Sequence, residues 1–408
     1  MDKRACLCLS LAAALLVPVS AAATPDPPVL HDARSVGMAG AGVAFTDSAM
    51  AIYHNPAALD QIPHYSVAAA FTPVLPSATA PLGAQGAGFS SGTAFVPLFF
   101  AGGALRLFER FVVGAAIYST GGFGAKYESV PAIGNQDIEL KVGGIEIAIP
   151  VSFRIIDGLS VAVALRLAYN QQKVDLVMPP TGPAGPTTVS QDLSGFGTPG
   201  VQAGIFYQPM RQLRIGLNYS SKISNELSGT ATVTSAQGIQ SGDARAEYNI
   251  AHFFRAGLAY ATLADRLLLV GEFYARFYDE ANDQLQTILT VNGQDTALPA
   301  VPLNWKNHYG GRWAAEFKLP WKLSARAGYT LANSAVPEST AGPFTSPPGL
   351  MHAVAFGGGW SGESLSIDAG AAFAFASETT SSPSLNGSPA GDYKLLVTTL
   401  ALSATWRR

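Results

Sequence analysis

From Tyr65 onward the chain alternates apolar and polar residues with a period of two. Between Trp305 and Leu319 one set holds Trp305, Asn307, Tyr309, Gly311, Trp313, Ala315, Phe317 and Leu319, and the other holds Lys306, His308, Gly310, Arg312, Ala314, Glu316 and Lys318. Ile145, Ile147, Ile149, Val151, Phe153 and Ile155 likewise oppose Glu146, Ala148, Pro150, Ser152 and Arg154. This is the spacing of extended strands whose two faces meet unlike surroundings. A strand of a soluble sandwich alternates in the same way, so the period predicts strands without choosing their solvent.

Fourteen strands are predicted, at 65–72, 95–106, 111–120, 138–155, 159–175, 199–208, 212–224, 246–261, 266–279, 305–319, 321–332, 351–360, 364–377 and 394–406. Long linkers rich in Gly, Pro, Ser and Thr follow the odd-numbered strands. Tight turns such as Phe108-Glu109-Arg110 and Ile156-Asp157-Gly158 follow the even ones. An even strand count with alternating long and short connections is the layout of a bacterial barrel, one rim facing the exterior and the other the periplasm. Composition points the same way. Only 13% of residues are charged while 48% are hydrophobic, yet Pro and Gly interrupt every candidate spanning helix beyond the first residues, as Pro97, Gly102 and Gly103 do between Ala94 and Leu105. Apolar residues spread over alternate strand positions reconcile the two facts. The expected fold is therefore an all-β, 14-stranded antiparallel transmembrane barrel spanning 64–408. Its last strand, with Leu396, Leu400, Leu402 and Trp406 on one face, ends in the aromatic that the barrel-assembly machinery uses as an insertion signal, although Arg407 and Arg408 follow it.

The N-terminus supplies the export route. Lys3 and Arg4 precede an apolar run from Ala5 to Val17, then Pro18 and the small residues Ser20 to Ala23. That order reads as a secretory signal peptide over 1–23; the run is too short for the ~20 residues of a spanning helix. Both cysteines, Cys6 and Cys8, lie inside it, so the mature chain is expected to hold no disulfide and no cysteine metal site. A net charge of −3 gives no reason to expect nucleic acid or a polybasic membrane patch. Residues 24–63 break the alternation. Within them Gly37, Gly40 and Gly42 allow close packing, Asp47 or Ser48 can cap one short helix, and Asn55 followed by Pro56 can cap another. A compact, partly helical segment ahead of a barrel is what a lumen plug would look like.

Ala33-Arg34-Ser35 through Gly40-Ala41-Gly42-Val43-Ala44, then Asp47 and the triplet Asn55-Pro56-Ala57, resemble the N-terminal hatch of the FadL/TodX family of outer-membrane transporters for long-chain fatty acids and aromatic hydrocarbons. Trp305-Lys306-Asn307, Arg326-Ala327-Gly328-Tyr329, Asn333-Ser334-Ala335-Val336-Pro337 and Pro347-Pro348-Gly349-Leu350-Met351-His352 extend the resemblance in order and spacing. One departure is Asn333-Ser334-Ala335-Val336-Pro337 in place of the Asp-Ser-Pro-Val-Pro common in the family. The resemblance implies a barrel closed by the hatch, an apolar landing site in the outer loops, and exit through a lateral gap at a kink in strand three.

Several residues are candidates for those roles. The first outer linker, Pro73 to Ala94, has no charged residue and offers Val74, Leu75, Leu82 and Phe89 to an apolar ligand; Val177 to Ser194 holds only Asp192. The rings of charge expected of a diffusion porin are missing from these stretches. Tyr118 and the run Gly121, Gly122 and Gly124 sit where the kink would be, although glycines at a strand end also mark an ordinary hairpin. Arg166, Lys173, Glu272, Arg276, Lys306, Arg312 and Lys318 read as lumen-facing. Of these, Arg166, Lys173 and Arg312 could hold a carboxylate, or could pair with neighbouring acids or anchor the hatch. The rival classes are a hatchless porin and an outer-membrane enzyme. Gly88-Phe89-Ser90-Ser91-Gly92 fits the serine-nucleophile letters but lacks the strand before and helix after it. The six histidines show no metal-ligand spacing, and no phosphate loop is present. The sequence thus predicts a monomeric transporter in contact with outer-membrane lipid, its ligand a hydrophobic small molecule, with no cofactor, metal or catalytic residue.

Overall fold

A computed structural model describes residues 31–178, 187–236, 238–298 and 300–408. The signal segment and residues 24–30 lie outside the described residues, as do 179–186 of the stretch Val177 to Ser194. Fourteen strands form the barrel wall: β1 Tyr65–Ala80, β2 Val96–Phe108, β3 Phe111–Val130, β4 Gln136–Ile156, β5 Leu159–Met178, β6 Gly200–Met210, β7 Leu213–Ser220, β8 His252–Thr262, β9 Leu267–Phe277, β10 His308–Lys318, β11 Leu323–Asn333, β12 Leu350–Ser361, β13 Leu365–Thr380 and β14 Gly391–Arg407. Each pairs antiparallel with its neighbours, and β14 closes on β1 from Ser66↔Arg407 to Thr79↔Lys394. Closure leaves the sheet no terminal edge strand, so the ladders satisfy backbone groups that hydrocarbon could not.

The two faces divide as the period-two pattern requires. On β14, Leu396, Leu400, Leu402 and Trp406 point outward and stay about half exposed, while Leu395, Val397 and Ala401 are buried in the lumen. Tyr309, Trp313 and Phe317 of β10 face out, and His308, Arg312 and Glu316 face in. An apolar belt around the whole wall suits lipid as its solvent and would be an aggregation surface in water. Trp305, expected in a strand, is instead buried in irregular chain ahead of β10.

The outer half of the wall is taller than the expected linkers allowed. β1 runs on to Ala80, so Val74 and Leu75 are strand residues rather than loop residues. β3 continues through the glycine run to Val130 and meets β4 across residues 131–135 alone. Further strands, Thr187–Phe196, Glu226–Ser235, Gly238–Glu247, Thr287–Val291 and Gln294–Ala297, carry the sheet beyond the apolar belt. Above the membrane both faces meet water or loops, so small and polar residues serve there. Small and polar composition is what reads as a loop.

Residues 31–63 lie within the barrel, almost wholly buried. They form α1 Ala33–Val36, whose first turn is capped by Asp32 accepting from the Ser35 N–H (2.8 Å), then α2 Ala51–His54 and a 3-10 turn, Pro56–Gln61. Asn55 caps that turn by accepting from the Ala57 N–H (3.1 Å), with Pro56 at the first position. Asn55 also donates to Val43 O and, across to β6, to Ile205 O (3.1 and 2.9 Å). The wall carries glycines where this segment touches it. A Cβ on Gly204 would sit 2.2 Å from Asn55 Oδ1, and one on Gly216 would sit 2.1 Å from Val43 O. Any side chain at those points would push the segment off the wall.

Candidate functional site

Above the hatch the upper chamber of the lumen is filled by apolar side chains of the wall and of the loop that carries Phe344. Val74, Leu98, Tyr127, Leu140, Phe344 and Val397 belong to one buried cluster there, and Leu82 and Phe89 pack against it. Three of the four expected apolar contacts are thus brought together. The fourth, Leu75, lies one residue from Val74 on β1 and so takes the opposite face. Phe89 and Ser90 pair with Ala80 and Thr79 as a two-residue strand, and Ser91 Oγ accepts from the Ala78 N–H. No helix follows, so the serine letters make no nucleophile elbow. Among the described residues no group of three or more His, Cys, Asp or Glu could hold a metal ion.

The chamber floor is polar. Tyr118 of β3 donates to Glu146 of β4, and Arg166 of β5 grips the same carboxylate through Nε and Nη2 (2.8 and 2.7 Å). Arg312 donates to Glu272 Oε1 (2.7 Å), while Glu272 Oε2 accepts from the backbone N–H groups of Gly42 and Val43 (2.8 and 3.0 Å). Arg166 is therefore bound to a wall carboxylate, and Arg312 backs a carboxylate that holds the hatch. Lys173, expected in the lumen, lies on the outward register of β5, half-exposed beside Asp175. Lys306 and Lys318 are exposed as well.

Sequence reasoning passed over Arg255. It stands on β8, 1% exposed, and donates through Nη2 to Tyr53 O of the hatch (2.7 Å) and to Asn218 Oδ1 (2.9 Å). Its Nε and Nη1 have no hydrogen-bond partner among the described residues. A cavity of about 40 Å³ lies beside it, bordered also by Tyr53, Tyr118, Arg166 and Arg276. A buried arginine with unused donors is costly unless an anion completes it. The signal was present: one cation among apolar and small residues on the inward register of His252–Thr262.

The wall changes character beside Tyr118. The β2–β3 ladder runs from Phe108↔Phe111 to Phe100↔Tyr118, its last pair among the described residues. The β3–β4 register then shifts between Ser119 and Gly122, after which β3 stays paired to β4 from Gly122↔Gly143 to Tyr127↔Ile138. Inward residues are even-numbered before this bulge (Val112, Ala116, Tyr118) and odd-numbered after it (Ala125, Tyr127). Val96 to Phe99 of β2 stay with β1, for example Val74↔Val96. Between the diverging strands opens a groove of about 830 Å³, bordered by Phe95, Pro97, Phe99, Val142, Gly143 and Gly144 and reaching Leu98 of the chamber. Tyr118 and Gly122 lie on either side of this bulge, while the side chains of 121–124 lie outside the described residues.

Beneath the hatch lies a different space. A vestibule of about 590 Å³ is bordered by Asp47, Arg214, Glu316, Arg326, Asp368 and Arg407. Arg34 joins Glu316 (2.9 Å) and Asp47 (3.2 Å), and Arg326 joins Asp368 (2.7 Å). The periplasmic mouth is thus lined with charge.

The model of one family, described as outer membrane protein transport protein (OMPP1/FadL/TodX), matches residues 29–405. No curated protein matches the chain. A FadL homologue of Pseudomonas aeruginosa has a similar structure, with a TM-score of 0.79 at 17% identity over 93% of this chain and 98% of that one. The Pseudomonas putida toluene transporter TodX gives 0.77 at 16% over 93% and 99%. The Ralstonia pickettii toluene transporter TbuX gives 0.75 at 16% over 94% and 99%.

Proposed function

Because the chain belongs to the OMPP1/FadL/TodX family of outer-membrane transport proteins, matching its model over residues 29–405, we propose that it admits long-chain fatty acids or aromatic hydrocarbons and releases them sideways into the membrane. The observation that carries this reading is the groove at the β2–β3 divergence, which reaches the wall of the apolar chamber at Leu98. An apolar molecule that arrives among Leu82, Phe89 and Val74 is then close to Leu98, from which Phe95, Pro97, Phe99 and Val142 offer apolar surface on the lipid side, with the charged residues of the groove at its outer rim. The other way out passes a docked hatch and a charged vestibule, where each CH₂ group returned to water costs about 0.8 kcal/mol. The protein is a transport protein rather than an enzyme, and the filled lumen disfavours a general porin. In this reading residues 1–23 are removed on export, 24–63 act as the hatch and 64–408 as the barrel. The assembly machinery inserts it as a monomer whose sheet closes on itself. Purified barrel in lipid vesicles, with no nucleotide and with a chelator present, is expected to speed entry of labelled fatty acid or toluene over empty vesicles. Faster leakage of sugars with no effect on either apolar compound would refute the proposal.

An acidic cargo would meet Arg255, to which we assign the carboxylate contact in preference to Arg166 and Arg312. Charged hydrogen bonds are worth about 1.5–3 kcal/mol each. Arg255→Gln should therefore weaken fatty-acid binding by tenfold or more, measured by titration calorimetry, while toluene binding holds. Equal loss for both ligands would mean that Arg255 serves only the hatch.

A further inference from the structure

On four strands of the wall, the outward residues just beyond the apolar belt repeat one order: a lysine, then an acid two residues farther from the membrane. β3 has Lys126 then Glu128, and β5 has Lys173 then Asp175. The descending strands give the same layers in reverse sequence, Glu139 above Lys141 on β4 and Asp392 above Lys394 on β14. Each lysine reaches its own strand's acid, at 2.6, 3.6, 2.5 and 3.8 Å respectively.

Between β4 and β5 this order leaves like charges facing across strands, whereas Lys126 of β3 faces Glu139 of β4 and also reaches Asp137 (3.5 Å). Lys141 lies directly opposite Lys173, and Glu139 opposite Asp175, an arrangement that destabilises a sheet unless counter-charge is near. Immediately on the membrane side, Gly143 faces Gln171 and Ile145 faces Tyr169. An added Cβ on Gly143 would meet nothing within 4 Å, so the wall is recessed there. The recess is part of the groove that Phe95, Pro97 and Phe99 border, and Lys126, Lys141 and Lys173 stand on its outer rim together with Glu128 and Glu139. Exposed ion pairs of this kind are worth about 0–1 kcal/mol. The lysines can therefore turn from their acids to a stronger anion at little cost.

We infer that this face holds a phosphate-bearing lipid of the outer leaflet, its phosphate on Lys126, Lys141 and Lys173 and one acyl chain in the groove below. The charge order selects that occupant. A lipid standing in the outer leaflet presents its phosphate at the level of Lys141 and Lys173 and its chains at the level of Phe99 and Ile145, with Glu139 and Asp175 above it and Lys126, in register with Glu139, at its upper side. A protein partner approaching from outside would meet the acid layer first. The acyl chain shares the groove with the proposed exit and must leave it when cargo passes, but lipid retention is read without transport, so its failure and that of the proposed function are distinguishable.

Purified barrel would be incubated with an acylated diglucosamine lipid carrying phosphate monoesters, and separately with the same lipid after phosphatase treatment, and bound lipid counted by native mass spectrometry. Wild-type protein should retain the phosphorylated form preferentially. A basic residue near an anionic surface contributes about 1 kcal/mol, so retention should fall about fivefold per lysine removed. The series runs through Lys141→Gln and Lys141→Gln/Lys173→Gln to the triple variant with Lys126→Gln. Lys318→Gln/Lys322→Gln, at the periplasmic end, should leave retention unchanged. Heat-dependent gel migration identifies folded barrel, and the single and double variants carry the test if the triple does not fold. Equal retention of the two lipid forms, or unchanged retention in folded Lys141→Gln/Lys173→Gln, would overturn the inference.

Discussion

Glu272→Ala should turn a nearly silent barrel into one that conducts ions in bursts. Glu272 is buried, pairs with Arg312, and accepts the backbone N–H groups of Gly42 and Val43 at the turn between the two helical parts of the hatch. Removing one member of a buried pair costs about 3–5 kcal/mol, because the other charge stays buried. The cost falls on the docked hatch, since the wall itself is held by continuous ladders through Glu272↔Arg312 and Gly257↔Glu272. The undocked fraction should then rise by about a hundredfold to a few thousandfold, a tenfold step for each 1.4 kcal/mol. Single-channel recording in planar bilayers reads this directly. Glu272→Ala/Arg312→Met should conduct less often than Glu272→Ala, because it removes the stranded charge and leaves only the lost backbone acceptor. Wild-type silence in folded Glu272→Ala would mean that the hatch is held elsewhere, at Asn55 or at Arg34.

The barrel was legible because lipid outside and a packed lumen inside impose a strict period of two, which survives uncertain strand ends. The hatch was legible in part through capping chemistry: Asn55 and Pro56 act where their residue types predict, whereas neither Asp47 nor Ser48 caps α2, which starts after Met50 with no side-chain cap. The upper wall was not. Residues 73–80, 121–130 and 226–247 lose the apolar outer face once they leave the membrane, and their Gly, Ser and Thr then look like linker. The glycine run from Gly121 was therefore placed at a strand end, whereas it follows a bulge inside a long strand. Lys173 was a misreading rather than a missing signal. It is seven residues from Arg166 on one strand, and an odd spacing puts two residues on opposite faces. Arg255 could not be ranked above Arg166 or Arg312 from sequence, because which arginine is already spent depends on contacts between strands, Glu146 with Arg166 and Glu272 with Arg312.

Closing the lateral groove should abolish delivery of cargo without impairing its capture. The chamber that would hold a ligand lies on the lumen side, at Val74, Leu98, Tyr127 and Phe344. The groove on the lipid-facing side touches this cluster at Leu98 and is the exit in the proposed route. Two independent closures are available. Gly121→Val/Gly122→Val/Gly124→Val adds branched side chains within and just beyond the bulge of β3, where pairing to β4 resumes at Gly122 and the ladder to β2 has ended among the described residues. Gly143→Phe fills the recess from β4, where an added Cβ meets open space and so brings no clash at its first atom. With the groove shut, every CH₂ of the cargo that leaves through the vestibule gives up about 0.8 kcal/mol, roughly a fourfold penalty per group, which for a long chain exceeds any single polar contact.

The decisive measurement is made on both variants, shown to be folded, in one vesicle preparation. Equilibrium binding of a labelled long-chain fatty acid and its rate of appearance in the bilayer are recorded side by side. Lateral exit predicts wild-type affinity with delivery reduced to the rate of protein-free vesicles. Wild-type affinity together with wild-type delivery in both variants would contradict it and send the cargo past the hatch.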